Sequence, residues 1–332
     1  LSNEQINSIL EVFSNFKNKK NKPESSPKNI KSILSIRADK PLRAPIFETY
    51  HKESAFTRYI KSLENKDLSL THAMIPLGSC TMKLNSATAM KALSDPNLSA
   101  IHPFAPKAYT QGYLEMISTL GDYLCDICEM EGVSFQPNSG AQGEYAGLLV
   151  IDHYLKAKGD TKRHIVFIPT SAHGTNPASA MIAGFDVVAI ACDEDGNIDQ
   201  EDFNTKLEKH KDVLAAMMIT YPSTFGVFER GLADLCQKLH QVGALVYMDG
   251  ANLNAQVGLC SPGAIGADVV HINLHKTFSI PHGGGGPGMG PICVKKQLID
   301  FLPQKPQDET KSSYSIASAP YSSASILQIS YA

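Results

Sequence analysis

His271-Ile272-Asn273-Leu274-His275-Lys276-Thr277-Phe278 is followed by Ser279-Ile280-Pro281-His282, the run Gly283-Gly284-Gly285-Gly286, and Pro287-Gly288-Met289-Gly290. An apolar strand pattern over 268–272 ends just before a lone lysine flanked by histidine and threonine. The glycine-rich loop beyond it gives a ligand close access to the backbone. An amine is a useful nucleophile at neutral pH only where its surroundings favour the uncharged form, and Lys276 lies in a largely uncharged segment. A lysine after a strand is ordinarily a surface residue, so its companions decide whether it carries chemistry.

Three companions stand at comparable places. Asp249 ends the apolar run Ala244-Leu245-Val246-Tyr247-Met248 and precedes Gly250-Ala251-Asn252. A carboxylate at the C-terminal edge of a buried strand faces the crevice where open α/β sheets bind ligands, and it can hold a pyridinium nitrogen protonated. The separation of 27 residues (276 − 249) leaves room for one connection and one further strand. Asn138-Ser139-Gly140-Ala141-Gln142-Gly143-Glu144 opens a helical pattern over 145–158, and small residues at a helix start expose free N–H groups suited to a phosphate. Ser171-Ala172-His173-Gly174-Thr175-Asn176-Pro177 follows a strand-like run over 164–169 and offers an imidazole that can stack on an aromatic ring. Each has a commoner explanation alone: a turn aspartate, a serine N-cap, a surface histidine. Their coincidence does not.

Together with Leu77-Gly78-Ser79-Cys80-Thr81-Met82-Lys83-Leu84-Asn85 and Thr220-Tyr221-Pro222-Ser223-Thr224, these motifs resemble the P-protein family of the glycine cleavage system, the pyridoxal-phosphate-dependent glycine decarboxylases. The resemblance runs from about residue 41 to the end of the chain. It implies an α/β fold of the fold-type-I, aspartate-aminotransferase-like kind: a large domain with a mostly parallel sheet, its C-terminal small domain missing here. It implies pyridoxal 5'-phosphate as cofactor, with Lys276 as the Schiff-base lysine, Asp249 paired with the pyridine nitrogen and His173 stacked on the ring. Ala251 would pack near the opposite ring face, and Ser139, Gly140 and Ala141 would hold the phosphate together with Thr277. Thr224, Asn252 and His275 match family motifs and belong near the cofactor without an assigned role.

By the same resemblance the substrate is glycine, whose carboxylate leaves as CO2 while the aminomethyl carbon passes to the lipoyl arm of the H-protein. A second subunit or a separate N-terminal half would complete the assembly. The family is found in the bacterial cytoplasm or the mitochondrial matrix. Two departures qualify it. The chain starts without methionine and stops where the family continues, which suggests an excised catalytic half. Pro320-Tyr321-Ser322-Ser323 stands where an aromatic-glycine-serine pattern is expected. The rivals are another fold-type-I activity such as an aminotransferase or cysteine desulfurase, a noncatalytic P-protein-like scaffold, and a glycine-rich nucleotide-binding module. Lys276, Asp249 and His173 count against the scaffold, and the glycines of 283–290 do not form a G-x-G-x-x-G opening a helix.

Composition agrees. With 332 residues, 43% hydrophobic and 19% charged, the chain can bury a sizeable core. A net charge of −3 argues against a nucleic-acid surface, and the basic stretch 17–22 reads as a solvated linker. Seven scattered cysteines fit a reducing compartment. Cys125 and Cys128, a C-x-x-C within a helical pattern, read as packing residues, since no second pair completes a zinc site. His271, His275 and His282 suggest no metal, because no clustered carboxylate accompanies them. No stretch approaches the roughly 20 apolar residues that span a bilayer, so no membrane association is expected.

Along the chain, 1–40 reads as a helix (Asn3–Phe16) and a linker, 41–111 as a helical and looped arm, 112–300 as the cofactor-binding α/β domain, and 301–332 as the start of the C-terminal segment. Strands are expected at 165–168, 187–191, 215–220, 245–248, 269–272 and 291–294, with helices between them at 200–210 and 230–242, the latter stopped by Gly243. Such alternation argues for a mostly parallel sheet covered on both faces.

Overall fold

The six expected strands all enter one sheet. The computed structural model describes residues 3–16, 39, 42–67, 86–281, 288–303 and 314–332. The motif at 77–85, the segment 282–287 and the expected linker at 18–28 lie outside the described residues. Among the described residues, seven strands pair: β1 (Gly132–Ser134), β2 (Ile165–Pro169), β3 (Asp186–Ile190), β4 (Leu214–Thr220), β5 (Leu245–Gly250), β6 (Val269–Ile272) and β7 (Ile292–Val294). Their order is β1-β7-β6-β5-β4-β2-β3. The strands from β2 to β6 pair in parallel, while β7 runs antiparallel to both β6 and β1.

The parallel centre follows from composition. β4, Leu-Ala-Ala-Met-Met-Ile-Thr, is buried at every position, as a strand covered on both faces must be. Period-two alternation sends Met217 and Ile219 into one core and Ala216 and Met218 into the other. The first core also takes Leu120 and Leu124 from helix Gln111–Cys128, and Leu235 and Leu239 from helix Leu232–Gln241. The second takes Leu148 and Ile151 from helix Gly140–Ala157, and Ala180 from helix Thr175–Ile182. Burying each such leucine or isoleucine contributes about 1.5–3 kcal/mol. Cys128 and Cys293 are fully buried in the first core with Cys125 packed against them, as the packing reading of the C-x-x-C expects.

Three differences from the sequence expectation have physical causes. Helix Gly140–Ala157 begins five residues before the apolar pattern does, because Ser139 caps it and the first-turn glycines Gly140 and Gly143 are buried. Tight packing there overrides the low helix propensity of glycine. Helix Leu232–Gln241 starts after the expected 230, since Gly231 takes φ +77°, and Gly243 at φ +81° stops it as expected. β1 is three residues long, too short for its alternation to stand out from the sequence.

The chain divides into two compact units, Leu1–Ser69 and Leu70–Ala332. In the first, helix Asn3–Phe16 occupies the expected span, and helix Glu53–Glu64 buries none of its residues. Tyr59 of that helix stacks on Tyr50 with ring centroids 4.4 Å apart.

Ser322, which stands where the resemblance leads one to expect glycine, adopts φ +49°. A side chain in the left-handed region costs about 1–2 kcal/mol, partly offset by the greater unfolded-state freedom of glycine. Ser322→Gly is therefore expected to raise the thermal midpoint by about 1–2 °C, and Ser322→Val to lower it. Scanning calorimetry of the two variants checks this, and an unchanged midpoint in both would remove the strain.

Candidate functional site

The parallel strands deliver their following loops to one edge of the sheet. β5 and β6 are neighbours in register, with Asp249 opposite His271 and Thr220 of β4 on the other side of Asp249. The separation of 27 from Asp249 to Lys276 is spent as expected, on one connection and one strand. Lys276 lies in the short helix Leu274–Thr277 directly after β6, half-buried, with its N–H donating to Asn273 O at 2.9 Å. Among the described residues, no carboxylate pairs with its amine.

Asp249 is 2% exposed. Its Oδ2 accepts from Asn176 Nδ2 at 3.0 Å and its Oδ1 from the Ala251 N–H at 2.9 Å. The first of these bonds joins the end of β5 to helix Thr175–Ile182. Asn176 also accepts from Thr220 Oγ1 at 3.3 Å.

Ser139 caps helix Gly140–Ala157, its Oγ accepting from Gln142 N at 3.1 Å. The N–H groups of Gly140 and Ala141, at the first two helical positions, have no partner within the helix. Gly140 is required by the approach of Asn273, whose amide nitrogen would stand 2.5 Å from a Cβ at that position. The helix start thus rests on the residue that opens the Lys276 turn. In that turn, the Thr277 hydroxyl oxygen is buried without a hydrogen-bond partner.

His173 is exposed on the loop after β2, its Nδ1 lying 2.8 Å from Thr175 Oγ1. Thr175 Oγ1 donates to Glu144 Oε1 and Ser179 Oγ to Glu144 Oε2, each at 2.7 Å. The loop after β4 is tied to this one by Thr224, whose Oγ1 donates to Ser171 O at 2.8 Å, and to the loop after β5 by Asn252 Nδ2 donating to Pro222 O at 2.9 Å. Ala251 is half-buried in the loop after β5, and His275 is half-buried beside Lys276 in helix Leu274–Thr277. One chain of contacts therefore links the segments that carry all the expected site residues.

The motifs assign no role to Glu144, Asn176, Ser179, Tyr247, His271 or Asn273, which form the buried polar layer beneath. Tyr247 OH lies 2.7 Å from His271 Nδ1, and His271 Nε2 lies 2.9 Å from Asn273 Oδ1 and 3.3 Å from Asp249 Oδ1. The sequence carries one signal of this layer: Tyr247 and Asp249, two apart on a strand, must share a face. Glu144, Asp249 and His271 come close enough together to resemble a metal-ligand set. The donors from Thr175, Ser179, Asn176 and Ala251 already occupy their carboxylate oxygens.

In the connection after β4, Glu229 is 7% exposed and accepts from Ile198 N at 2.7 Å. Burial pushes its carboxyl up to about 7, against the pull of that N–H and with a further push from Asp193. A carboxyl raised above its unfolded value keeps a proton the unfolded chain has lost, so stability falls as pH rises from about 4.5 to about 7 and is level above. Glu229→Gln is expected to gain about 1–2 kcal/mol over the wild type at pH 8 and nothing at pH 4.5. Denaturant melts of both proteins at the two pH values test it, and a constant difference would contradict it.

A sheet of this order, with the expected lysine and aspartate at the ends of adjacent parallel strands, has the architecture of the fold-type-I pyridoxal-phosphate-dependent enzymes. A crystal structure of glycine decarboxylase (P-protein) of the glycine cleavage system in inhibitor-bound form superposes with TM-score 0.65 at 19% identity, over 100% of this chain and 75% of that one. An Oryza sativa TDC solved with PLP and tryptamine superposes with TM-score 0.60 at 13% identity, over 100% and 74%. Identities this low speak for the fold alone.

Sequence goes further: the chain belongs to the glycine cleavage system P-protein family, which it matches over residues 14–306. It is 58% identical over 292 residues to a glycine dehydrogenase (decarboxylating) of Deinococcus radiodurans, covering 87% of this chain and 31% of that protein. It is 56% identical over 294 residues to the mitochondrial one of Dictyostelium discoideum, covering 87% and 30%. The chain thus spans about a third of the length of the curated relatives it matches. Among the described residues, no helix is long and apolar enough to cross a membrane.

Proposed function

We propose that this chain carries the pyridoxal-phosphate site of a glycine decarboxylase, which releases CO2 from glycine and passes the aminomethyl group to the lipoyl arm of a carrier H-protein. The observation that carries the reading is the joint placement of Lys276 and Asp249 on the ends of adjacent parallel strands, next to a capped helix start. The chain's own polar groups fit the cofactor. The free N–H groups of Gly140 and Ala141, the Ser139 hydroxyl and the orphaned Thr277 hydroxyl suit a phosphate. When bound, pyridoxal phosphate supplies an electron sink for the charge left behind by a departing carboxylate.

In this reading Asp249, held by Asn176 and the Ala251 N–H, keeps a proton on the ring nitrogen. His173 would cover one ring face and Ala251 would pack near the other. Lys276 would supply the amine that holds the cofactor. Thr224 and Asn252 hold the three loops in place through Ser171 and Pro222, and His275 borders the lysine. A second subunit or N-terminal half completes the assembly, in a bacterial cytoplasm or a mitochondrial matrix.

The test is release of labelled CO2 from carboxyl-labelled glycine by this chain, assembled with the remainder of a P-protein and supplied with pyridoxal phosphate and lipoylated H-protein. Release that requires the lipoyl group is the expected result. Transfer of the amino group to an added keto acid without CO2 release would replace this reading with an aminotransferase.

A further inference from the structure

The site's polar layer contains a histidine that the proposed reaction does not use. His271 is 1% exposed in the middle of the sheet, directly opposite Asp249 on the neighbouring strand. Its Nε2 points at two oxygens, Asn273 Oδ1 at 2.9 Å and Asp249 Oδ1 at 3.3 Å, and its Nδ1 at one, Tyr247 OH at 2.7 Å. Tyr247 is fully buried, and burial together with the carboxylates of Glu144 and Asp249 holds its hydroxyl well above the usual phenol range. It is therefore a donor, and the nearest acceptor is Nδ1. A neutral ring that accepts at Nδ1 carries its proton on Nε2, facing the two oxygens.

We infer that His271 is a positioning residue which, held in its Nε2–H form by Tyr247, fixes the orientation of the Asp249 carboxylate toward the cofactor ring. This rests on the proposed pyridoxal-phosphate site. The carboxylate has two hydrogen-bond donors, Asn176 from a helix and the Ala251 N–H from its own loop, and from the adjacent strand His271 Nε2, bonded to Asn273 Oδ1, stands 3.3 Å from its Oδ1. Asn273 has a double part: it accepts from His271 and packs against Gly140, so the ring-nitrogen end and the phosphate end share one side chain. Filling the space with an apolar side chain of similar size would preserve packing and lose the N–H that bonds Asn273 and stands against the carboxylate. Supplying an amide N–H at the same reach would keep both.

The test compares His271→Leu, His271→Gln and Tyr247→Phe in three measurements: affinity for pyridoxal phosphate, the visible absorption of the bound cofactor, and 15N resonances of the histidine-labelled chain without cofactor. His271→Leu is expected to weaken cofactor binding about tenfold or more and to shift the absorption band, whereas His271→Gln stays within about threefold. The wild-type resonance absent from both His271 variants is expected to be that of the Nε2–H form, and Tyr247→Phe to mix in the other tautomer. Equal loss in His271→Leu and His271→Gln, no loss in either, or an Nδ1–H resonance in the wild type would overturn the assignment. Lys276→Ala separates the two claims. If the wild type forms no lysine-dependent adduct, the cofactor reading fails, and the tautomer still decides whether Tyr247 sets the ring proton.

Discussion

Lys276→Ala is expected to abolish the yellow, borohydride-reducible adduct with pyridoxal phosphate and to lower glycine decarboxylation at least ~10^3-fold, while leaving the fold intact. The fold should survive because the amine is half-buried and pairs with no described carboxylate. Its backbone N–H bond to Asn273 O does not depend on the side chain. Loss of a side chain in such surroundings usually changes stability by less than about 0.5 kcal/mol. Lys276→Arg sharpens the test, since it keeps a positive charge but offers a guanidinium that stays protonated and cannot attack an aldehyde. A merely electrostatic lysine predicts that Lys276→Arg recovers cofactor binding in full. A nucleophilic lysine predicts that neither variant can be trapped by borohydride. A mass increment on a different lysine in the wild type would place the covalent site elsewhere.

Much of this site is legible in the sequence because each part announces itself locally. A strand-length apolar run ending in Asp249, another ending before Lys276, and a serine opening a glycine-rich helix are each patterns confined to a short stretch of chain. The spacing of 27 allows a single intervening strand, and β6 is that strand. The layer beneath is not legible, because it depends on register. Asp249 meets His271 only because β5 and β6 pair at that offset, and Asn176 reaches Asp249 only because helix Thr175–Ile182 docks on this side of the sheet. In the sequence Glu144 is one more polar residue in a helix start, and only its contacts with Thr175 and Ser179 show why it tolerates burial. The early start of helix Gly140–Ala157 is hidden for a related reason. Its glycines weaken any helical pattern, and their purpose is a close approach that sequence does not display.

That close approach sets the second large effect: Gly290→Ala is expected to destabilise the chain by more than about 3 kcal/mol and to weaken pyridoxal-phosphate binding in the protein that remains folded. A Cβ on Gly290 would overlap the Ser139 carbonyl and stand 2.9 Å from Gly140 N. Neither side can withdraw cheaply. Gly290 N donates to Pro137 O at 3.0 Å, and the Gly290 carbonyl lies 2.8 Å from where a Cβ on Gly143 would be, so the segment leading into β7 is clamped against the helix start. Relief would have to come from moving Ser139 and Gly140 away from Gly290, which disturbs the packing of Gly140 on Asn273. That motion would open the proposed phosphate cup. Gly112→Ala is the control: Gly112 is the second residue of helix Gln111–Cys128, and a Cβ there would meet nothing within 4 Å. The same added methyl should stabilise the chain at that position by about 0.4–1 kcal/mol. Opposite signs in denaturant melts of the two variants are the expected result. If Gly290→Ala melts like the wild type, the segment does not press on the helix start, and the placement of Ser139, Gly140 and Ala141 around a phosphate loses its structural basis.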